Sequence, residues 1–205
     1  MSTQSDTGAR RPYRKRRRAQ LEAETRLRIT EAAVDLHGSV GPARTTISAV
    51  ADRAGVQRAT VYRHFPDEQA LFDACSSHWM ARHPLPDPAR WAEIEHPAER
   101  LRVALGELYE WYEQGEYMLE RTTRDVALVP ALRPSIEGLH GWLGAAANAI
   151  LRGRPQRRSG GRPQRAAVGH ALAFETWRSL AIHQGLTRAE TIELMVALAV
   201  AADQA

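Results

Sequence analysis

The residues with the most specific spacing run from Thr45 to Phe65, Thr-Thr-Ile-Ser-Ala-Val-Ala-Asp-Arg-Ala-Gly-Val-Gln-Arg-Ala-Thr-Val-Tyr-Arg-His-Phe. Two short helices that cross in a helix-turn-helix need a small residue where their axes meet, a glycine able to take a left-handed turn, and apolar side chains facing inward from both. Ala51, Gly55 four positions later, and Ile47, Val50, Ala54, Val56 and Val61 supply these in register. Gln57, Arg58, Thr60, Arg63 and His64 are left facing outward. All of them donate or accept hydrogen bonds, and the helix carrying them is short enough to enter a major groove about 12 Å wide. The chemistry expected is recognition of base edges and phosphates. An incidental helical hairpin would share the polar outer face but not this register beside a basic arm.

That arm dominates the charge distribution. The chain has 205 residues and a formal net charge of +4. Residues 1 to 18 hold Arg10, Arg11, Arg14, Lys15, Arg16, Arg17 and Arg18 against Asp6, a local charge of +6, which leaves −2 for the remainder. Such a block is too poor in apolar side chains to fold alone, and flexible basic arms reach phosphates or the minor groove. A solubility tail, or a patch for RNA or a membrane surface, would carry the same charge. A single cysteine, Cys75, excludes an intrachain disulfide framework and a multi-cysteine metal site from one chain. The longest clean apolar run, Leu194 to Ala202, is far below the roughly 20 residues of a transmembrane helix. No secretory or twin-arginine signal follows the arginines, so the expected compartment is the cytoplasm.

The elements that must position these residues read as helices almost throughout, with little period-two alternation. A flexible basic arm over 1–19 precedes a DNA-binding domain over 20–66, with the helix-turn-helix at about 46–65. The first helix is expected from about Gln20 to His37, ended by Gly38; the next from Ile47 to Ala54, capped by Thr46; the third from Gln57 to His64. Asp67 caps a connecting helix over 67–82. Three prolines between His83 and Pro88 mark a boundary. Beyond it lies a second domain, 83–205, with helices expected at Pro97 to Gln114, Glu116 to Ala127, Pro134 to Arg152, 166–184 and 188–203, about nine helices in all. Residues 152–165 carry Gly-Arg-Pro-Gln-Arg twice and read as a flexible basic loop. Thr187 and Glu190 have capping-box spacing. The last two helices are apolar on more than one face, which fits a two-fold four-helix interface over about 166–203, although an internal hairpin would look alike.

At Thr46-Ile47, Ala51-x-x-Ala54-Gly55-Val56, Thr60-Val61-Tyr62-Arg63-His64-Phe65 and Leu71-Phe72 the chain resembles the TetR family of bacterial transcriptional repressors. The resemblance implies an all-α homodimer that binds a palindromic double-stranded operator through its third helix and releases it when a small-molecule inducer enters the second domain. It implies that Thr45 and Thr46 touch phosphate, that Gln57, Arg58, Thr60 and Tyr62 face bases or backbone, that Arg63 shares this surface, and that His64 meets a phosphate. Two positions depart from the family pattern: Gln57 stands where Ser or Thr usually begins the recognition helix, and Glu68 where a base is usual. An acid there opposes phosphate, so Arg14, Arg16, Arg17 and Arg18 of the arm are expected to restore charge by tracking the groove or backbone.

The second domain concentrates aromatics. Trp79, Tyr109, Tyr112, Met118, Thr122, Trp142, Phe174 and Trp177 are the candidate ligand-pocket residues, with Trp111, Tyr117, His140 and His170 nearby; ordinary core is the competing reading. Glu107, Glu110, Glu113, Glu116 and Glu120 form either a solvated acidic face or a partner for a cationic ligand. Gly138, Gly141 and Gly144 make a strip that permits close helix approach, and Cys75 with His78 is too few ligands for a metal. No catalytic constellation, nucleotide loop or cofactor motif is found, so no enzyme, cofactor or metal is expected. A helical small-molecule-binding protein or enzyme with a nonspecific basic tail, and a nonspecific nucleic-acid coating protein, are the competing classes.

Overall fold

The computed structural model describes residues 10–153 and 161–202. The arm's residues 1–9, residues 154–160 of the basic loop and the last three residues lie outside them. The described residues are helical and include no strand.

Helix α1 spans Arg10–Ser39, α2 Ile47–Ala54, α3 Arg58–His64 and α4 Glu68–Arg82. Helix α5 spans Pro88–Ala92, α6 Pro97–Asp125 and α7 Arg133–Leu151. Helix α8 spans Arg162–Leu172, α9 Phe174–Trp177 and α10 Arg188–Ala202. Short 3-10 turns at Pro42–Arg44 and Pro130–Leu132 precede α2 and α7, and a π-helical segment, Arg178–His183, continues α9.

Two large apolar cores, with a third small cluster of Phe72, Val129, Ala131 and Leu132, organise the described residues. Ile29, Ala32, Ala33, Val50, Ala51, Ala54, Val61, Phe65, Leu71 and Cys75 bury one another where α1 to α4 meet. A larger core gathers Trp91, Leu101, Leu105, Leu108, Tyr109, Tyr112, Ile150, Val168, Leu172, Trp177, Ile192 and Met195 from α5 to α10. Val34 on α1 packs against both, so the two cores share a wall rather than a linker.

Several boundaries differ from the sequence expectation, each for a visible reason. Helix α1 begins at Arg10, so the arm is helical from there and not flexible up to residue 19. No breaker occurs between Pro12 and Gly38, and Arg18 to Glu22 (3.0 Å) and Gln20 to Glu24 (3.0 Å) are i,i+4 pairs. Gly38 does not end α1. A Cβ on it would lie 2.6 Å from Tyr117 Cε2, so its role is the close approach of α1 and α6, while Gly41 with φ of 95° makes the turn. Gly115 likewise does not divide α6, because it gives way to Trp79, whose ring would be 3.0 Å from an added Cβ.

Helix α5 was not anticipated; Asp87 caps it at Ala89 N (3.0 Å), and it buries Trp91 completely. The expected helix over 166–184 breaks at Ala173 (ψ 135°). The carbonyls freed there are not wasted, since Tyr109 Oη donates to Ala171 O (2.8 Å) and Tyr112 Oη to Leu172 O (2.6 Å). The second copy of the basic pentapeptide falls in the first turn of α8 instead of in a loop. The Gly138, Gly141 and Gly144 strip brings no helix close, as an added Cβ at each meets nothing within 4 Å. The capping box forms as expected, with Thr187 N donating to Glu190 Oε2 (2.8 Å) and Glu190 N to Thr187 Oγ1 (3.3 Å).

Candidate nucleic-acid interface and interior cavity

The helix-turn-helix is built by local rules. Thr46 Oγ1 accepts from Ala49 N (3.1 Å) to start α2, a cap of about 1 kcal/mol. Gly55, at φ 64° and ψ 41°, ends it, and Val56 N donates back to Ala51 O (2.9 Å). Ala51 is 1% exposed at the crossing, and Val61 turns fully inward. Gln57 occupies the N-cap of α3 with no side-chain bond, so this start lacks the stabilisation that Thr46 gives α2.

Helix α3 is about 10 Å long by its rise per residue. Gln57, Arg58, Ala59, Tyr62 and Arg63 are exposed on it, Thr60 is half-buried, and Arg58 and Arg63 form no ion pair among the described residues. The exposed Ala59 makes a flat spot in this face that sequence reading passed over. Thr45 Oγ1 is turned back onto Gly41 O (2.9 Å). His64 is placed differently from the family expectation: its Nε2 is enclosed without a hydrogen-bond partner, so that atom is not presented to a phosphate. Burial, then Arg63 and Arg26, push the His64 pKa down against the opposing Glu22.

Arg26 was also missed. Its guanidinium lies 4.1 Å over the Phe65 ring and donates to His64 O, the last carbonyl of α3. Nothing in the sequence marks a pairing across 38 positions. This contact fixes where the basic segment lies. Arg14, Lys15, Arg16, Arg17 and Arg18 are all exposed on α1, between eight and twelve residues before Arg26, thus beginning about 12 Å from the end of the recognition helix. Among the described residues, only Arg18 of these is paired, with Glu22. Glu68 is exposed at the start of α4.

The position of α2 is set by a buried latch from α6. Asp125 at the end of α6 accepts from Ala43 N (3.0 Å) and from Arg124 Nε (2.7 Å), and Arg121 Nε donates to Ser39 O (2.9 Å). The Arg124 hydrogen bond, aided by the Ala43 N–H and opposed by burial, holds the Asp125 carboxyl below the usual carboxylate range.

A cavity of about 450 Å³ lies among α1, α4, α6 and α7. Trp79, Met118 and Thr122 line it, with Val34, His37, Phe72, Cys75, Ser76, Trp111, Ser135 and Leu139. The other expected pocket residues do not. Tyr109, Tyr112, Phe174 and Trp177 pack ring to ring in the larger core, because Tyr109 and Tyr112 of α6 face α8 and α9 while Trp111 of the same helix faces Trp79 of α4, and Trp142 of α7 sits edge-on to Trp91 at 6.0 Å. The acidic stripe is also elsewhere. Glu107 accepts from Trp91 Nε1 (2.8 Å), Glu110 and Glu113 pair with Arg188, Glu116 with Arg178 and Glu120 with Arg121.

Cys75 is buried in the cavity wall, 3.8 Å from Thr30 O, and burial pushes its thiol up to about 12. The folded chain is therefore expected to react with a disulfide reagent at pH 8 roughly 10³-fold slower than the urea-unfolded chain, in proportion to thiolate. Equal rates would show that the α1–α4 contact opens freely.

Among the described residues no group of three or more His, Cys, Asp or Glu could hold a metal ion, and no helix is long and apolar enough to cross a membrane.

An exposed recognition helix on an all-helical, two-core body defines a helix-turn-helix protein. Residues 29–75 match the family model of bacterial regulatory proteins, tetR family. It is 35% identical over 89 residues to an uncharacterised HTH-type transcriptional regulator of Mycobacterium tuberculosis, an alignment covering 43% of this chain and 43% of that relative. A TetR-like transcriptional regulator from Rhodococcus sp. RHA1 has the same fold, with a TM-score of 0.58 at 16% identity over 86% of this chain and 93% of that one. The multidrug binding protein EbrR, solved with imidazole, gives a TM-score of 0.54 at 25% identity over 85% of this chain and 89% of that one.

Proposed function

We propose that the chain is a sequence-specific, DNA-binding transcriptional repressor that reads a palindromic operator as a homodimer in the bacterial cytoplasm and leaves it when a small molecule fills the interior cavity. The observation that carries the reading is the outer face of α3: Gln57, Arg58, Tyr62 and Arg63 stand exposed on a helix locked by Ala51 and Gly55, beside the exposed cations of α1. Thr45, Thr46 and Thr60 flank that face as backbone contacts. Self-association is supported by α10, which buries Ile192, Met195 and Val196 on one side yet leaves Leu194 46% and Leu198 41% exposed, next to Ile182 at 52%. Release by a ligand is supported by the cavity, and a protein of this fold, EbrR, is a multidrug binding protein. No enzyme activity or cofactor enters the reading.

Selection of bound sequences from random duplex DNA tests it. The expected result is a palindrome with half-sites about one helical turn apart. Arg58→Ala or Thr60→Ala should then relax discrimination at particular base pairs, by about 1–3 kcal/mol for a good contact, with little change in salt dependence. Binding without any preferred sequence would instead favour a small-molecule-binding protein or enzyme with a nonspecific tail.

A further inference from the structure

Two cavities in this chain share a wall. Below the 450 Å³ cavity lies a smaller one of about 180 Å³, enclosed by Thr46, Ile47, Val50, Phe65 and Leu71 under the helix-turn-helix. His37 on α1 and Phe72 on α4 line both, with their rings stacked at 4.7 Å and 5°. His37 is only 5% exposed, and its ring nitrogens have no hydrogen-bond partner among the described residues. Burial lowers its pKa to about 4, so at neutral pH it is an uncharged imidazole with one donor and one acceptor. A molecule in the cavity can use both.

The remaining wall narrows the chemistry of that molecule. No Asp, Glu, Lys or Arg lines the larger cavity. Several of its other polar groups are engaged within the protein, Thr122 Oγ1 with Met118 O (2.8 Å), Trp111 Nε1 with His83 O (3.0 Å), and Ser76 Oγ with Ser135 Oγ (2.7 Å). Trp79 Nε1 is a second donor without a partner among the described residues, able to share an oxygen that His37 receives. A charged ligand would lose its hydration and find no countercharge.

We propose that the cavity takes a ligand without net charge, apolar over most of its surface and bearing one hydrogen-bonding oxygen such as a ketone, ester, lactone or alcohol, and that His37 receives this oxygen. The proposal rests on the ligand-release reading above and gives it a ligand class. It also gives a route, because a ligand that turns the imidazole moves a ring that already walls the cavity beneath α2. The cationic ligand that the acidic stripe of α6 suggested has no carboxylate to meet in this cavity.

The test uses the full chain and three ten-carbon probes at pH 7.5, namely 2-decanone, decanoate and decyltrimethylammonium. Binding is followed by calorimetry and by tryptophan fluorescence, since Trp79 and Trp111 line the cavity. The ketone is expected to bind at least about tenfold tighter than either ion. His37→Phe, which keeps the stack on Phe72 but removes the nitrogens, should weaken the ketone about fivefold. His37→Gln, which restores a donor and an acceptor, should recover most of that loss. Leu139→Trp, which fills the cavity, should abolish binding. An ion binding as tightly as the ketone, full affinity in His37→Phe, or no binding by any probe would overturn the proposal. Operator affinity is measured alongside. Selective, His37-dependent binding that leaves DNA bound would sink ligand release while the cavity chemistry stands, and release by an ion independent of His37 would do the reverse.

Discussion

Replacing Arg14, Lys15, Arg16 and Arg17 together by glutamine is expected to weaken binding to the selected operator by about two orders of magnitude at 0.15 M salt. The slope of log affinity against log salt should fall by about 3, since each phosphate neutralised contributes roughly 0.9 to it. These four cations are exposed on α1 and form no ion pair among the described residues, and Arg26 pins that helix to the end of α3. Glu68, near the same surface, makes the charge more necessary. Glutamine is chosen because it is a good helix former, so the segment keeps its conformation. The free protein should respond in the opposite direction. Arg10 with Arg14 and Arg14 with Arg18 are like charges four apart, which oppose the helix. The variant is therefore expected to gain a little helicity by circular dichroism while losing affinity. Anisotropy titrations with labelled duplex between 0.05 and 0.3 M salt measure the slope, as on the order of a few salt concentrations suffice. A slope equal to that of the parent chain would show that α1 points away from the duplex.

Asp125→Ala is expected to cost about 3 kcal/mol of unfolding free energy. The carboxylate is buried, and removing it strands the Ala43 N–H and takes from Arg124 its shortest contact, leaving it, among the described residues, only Glu120 and Val40 O. Gly41 leaves no slack for repair, since a Cβ there would lie 2.5 Å from Asp125 Oδ2. The latch holds the turn that leads directly into Thr45 and Thr46, so operator affinity should fall with stability. The pH dependence has a definite sign. The folded-state pKa of Asp125 lies below its unfolded value, so the contribution is complete above the ordinary aspartate range and is lost as pH falls through the folded-state value. Asp125→Asn keeps an acceptor for Ala43 N–H but cannot titrate, so it should show an intermediate loss near neutral pH and a smaller further loss in acid. Urea unfolding at neutral pH and near pH 3.5, about the aspartate range, separates the two. Parallel acid profiles for parent and Asn variant would remove Asp125 from this role.

The elements governed by neighbouring residues were legible in the sequence. Thr46, Asp67 and the Thr187–Glu190 pair cap the helices they were expected to cap, and Gly55 turns between α2 and α3, because these bonds reach no more than three or four positions. The inward and outward faces of α2 and α3 follow from helical period alone. What misled were glycines and arginines. Gly38 and Gly115 look like helix ends but are places where Tyr117 and Trp79 come close, and the basic segment looks like coil but between Pro12 and Gly38 has no residue that stops a helix.

The sequence by itself therefore determined the helix-turn-helix, its recognition face and the concentration of charge before it, since each depends on local spacing and composition. Only the tertiary structure decided the rest. It placed the cavity between α1 and α4 instead of among Tyr109, Tyr112 and Trp177, whose hydroxyls and rings are consumed by the break at Ala173. It also put His37 beside Phe72, and Asp125 under Ala43 across 82 positions. Those partners meet because two apolar cores close against one another, and no pattern along the chain encodes which side chains are left facing the space between.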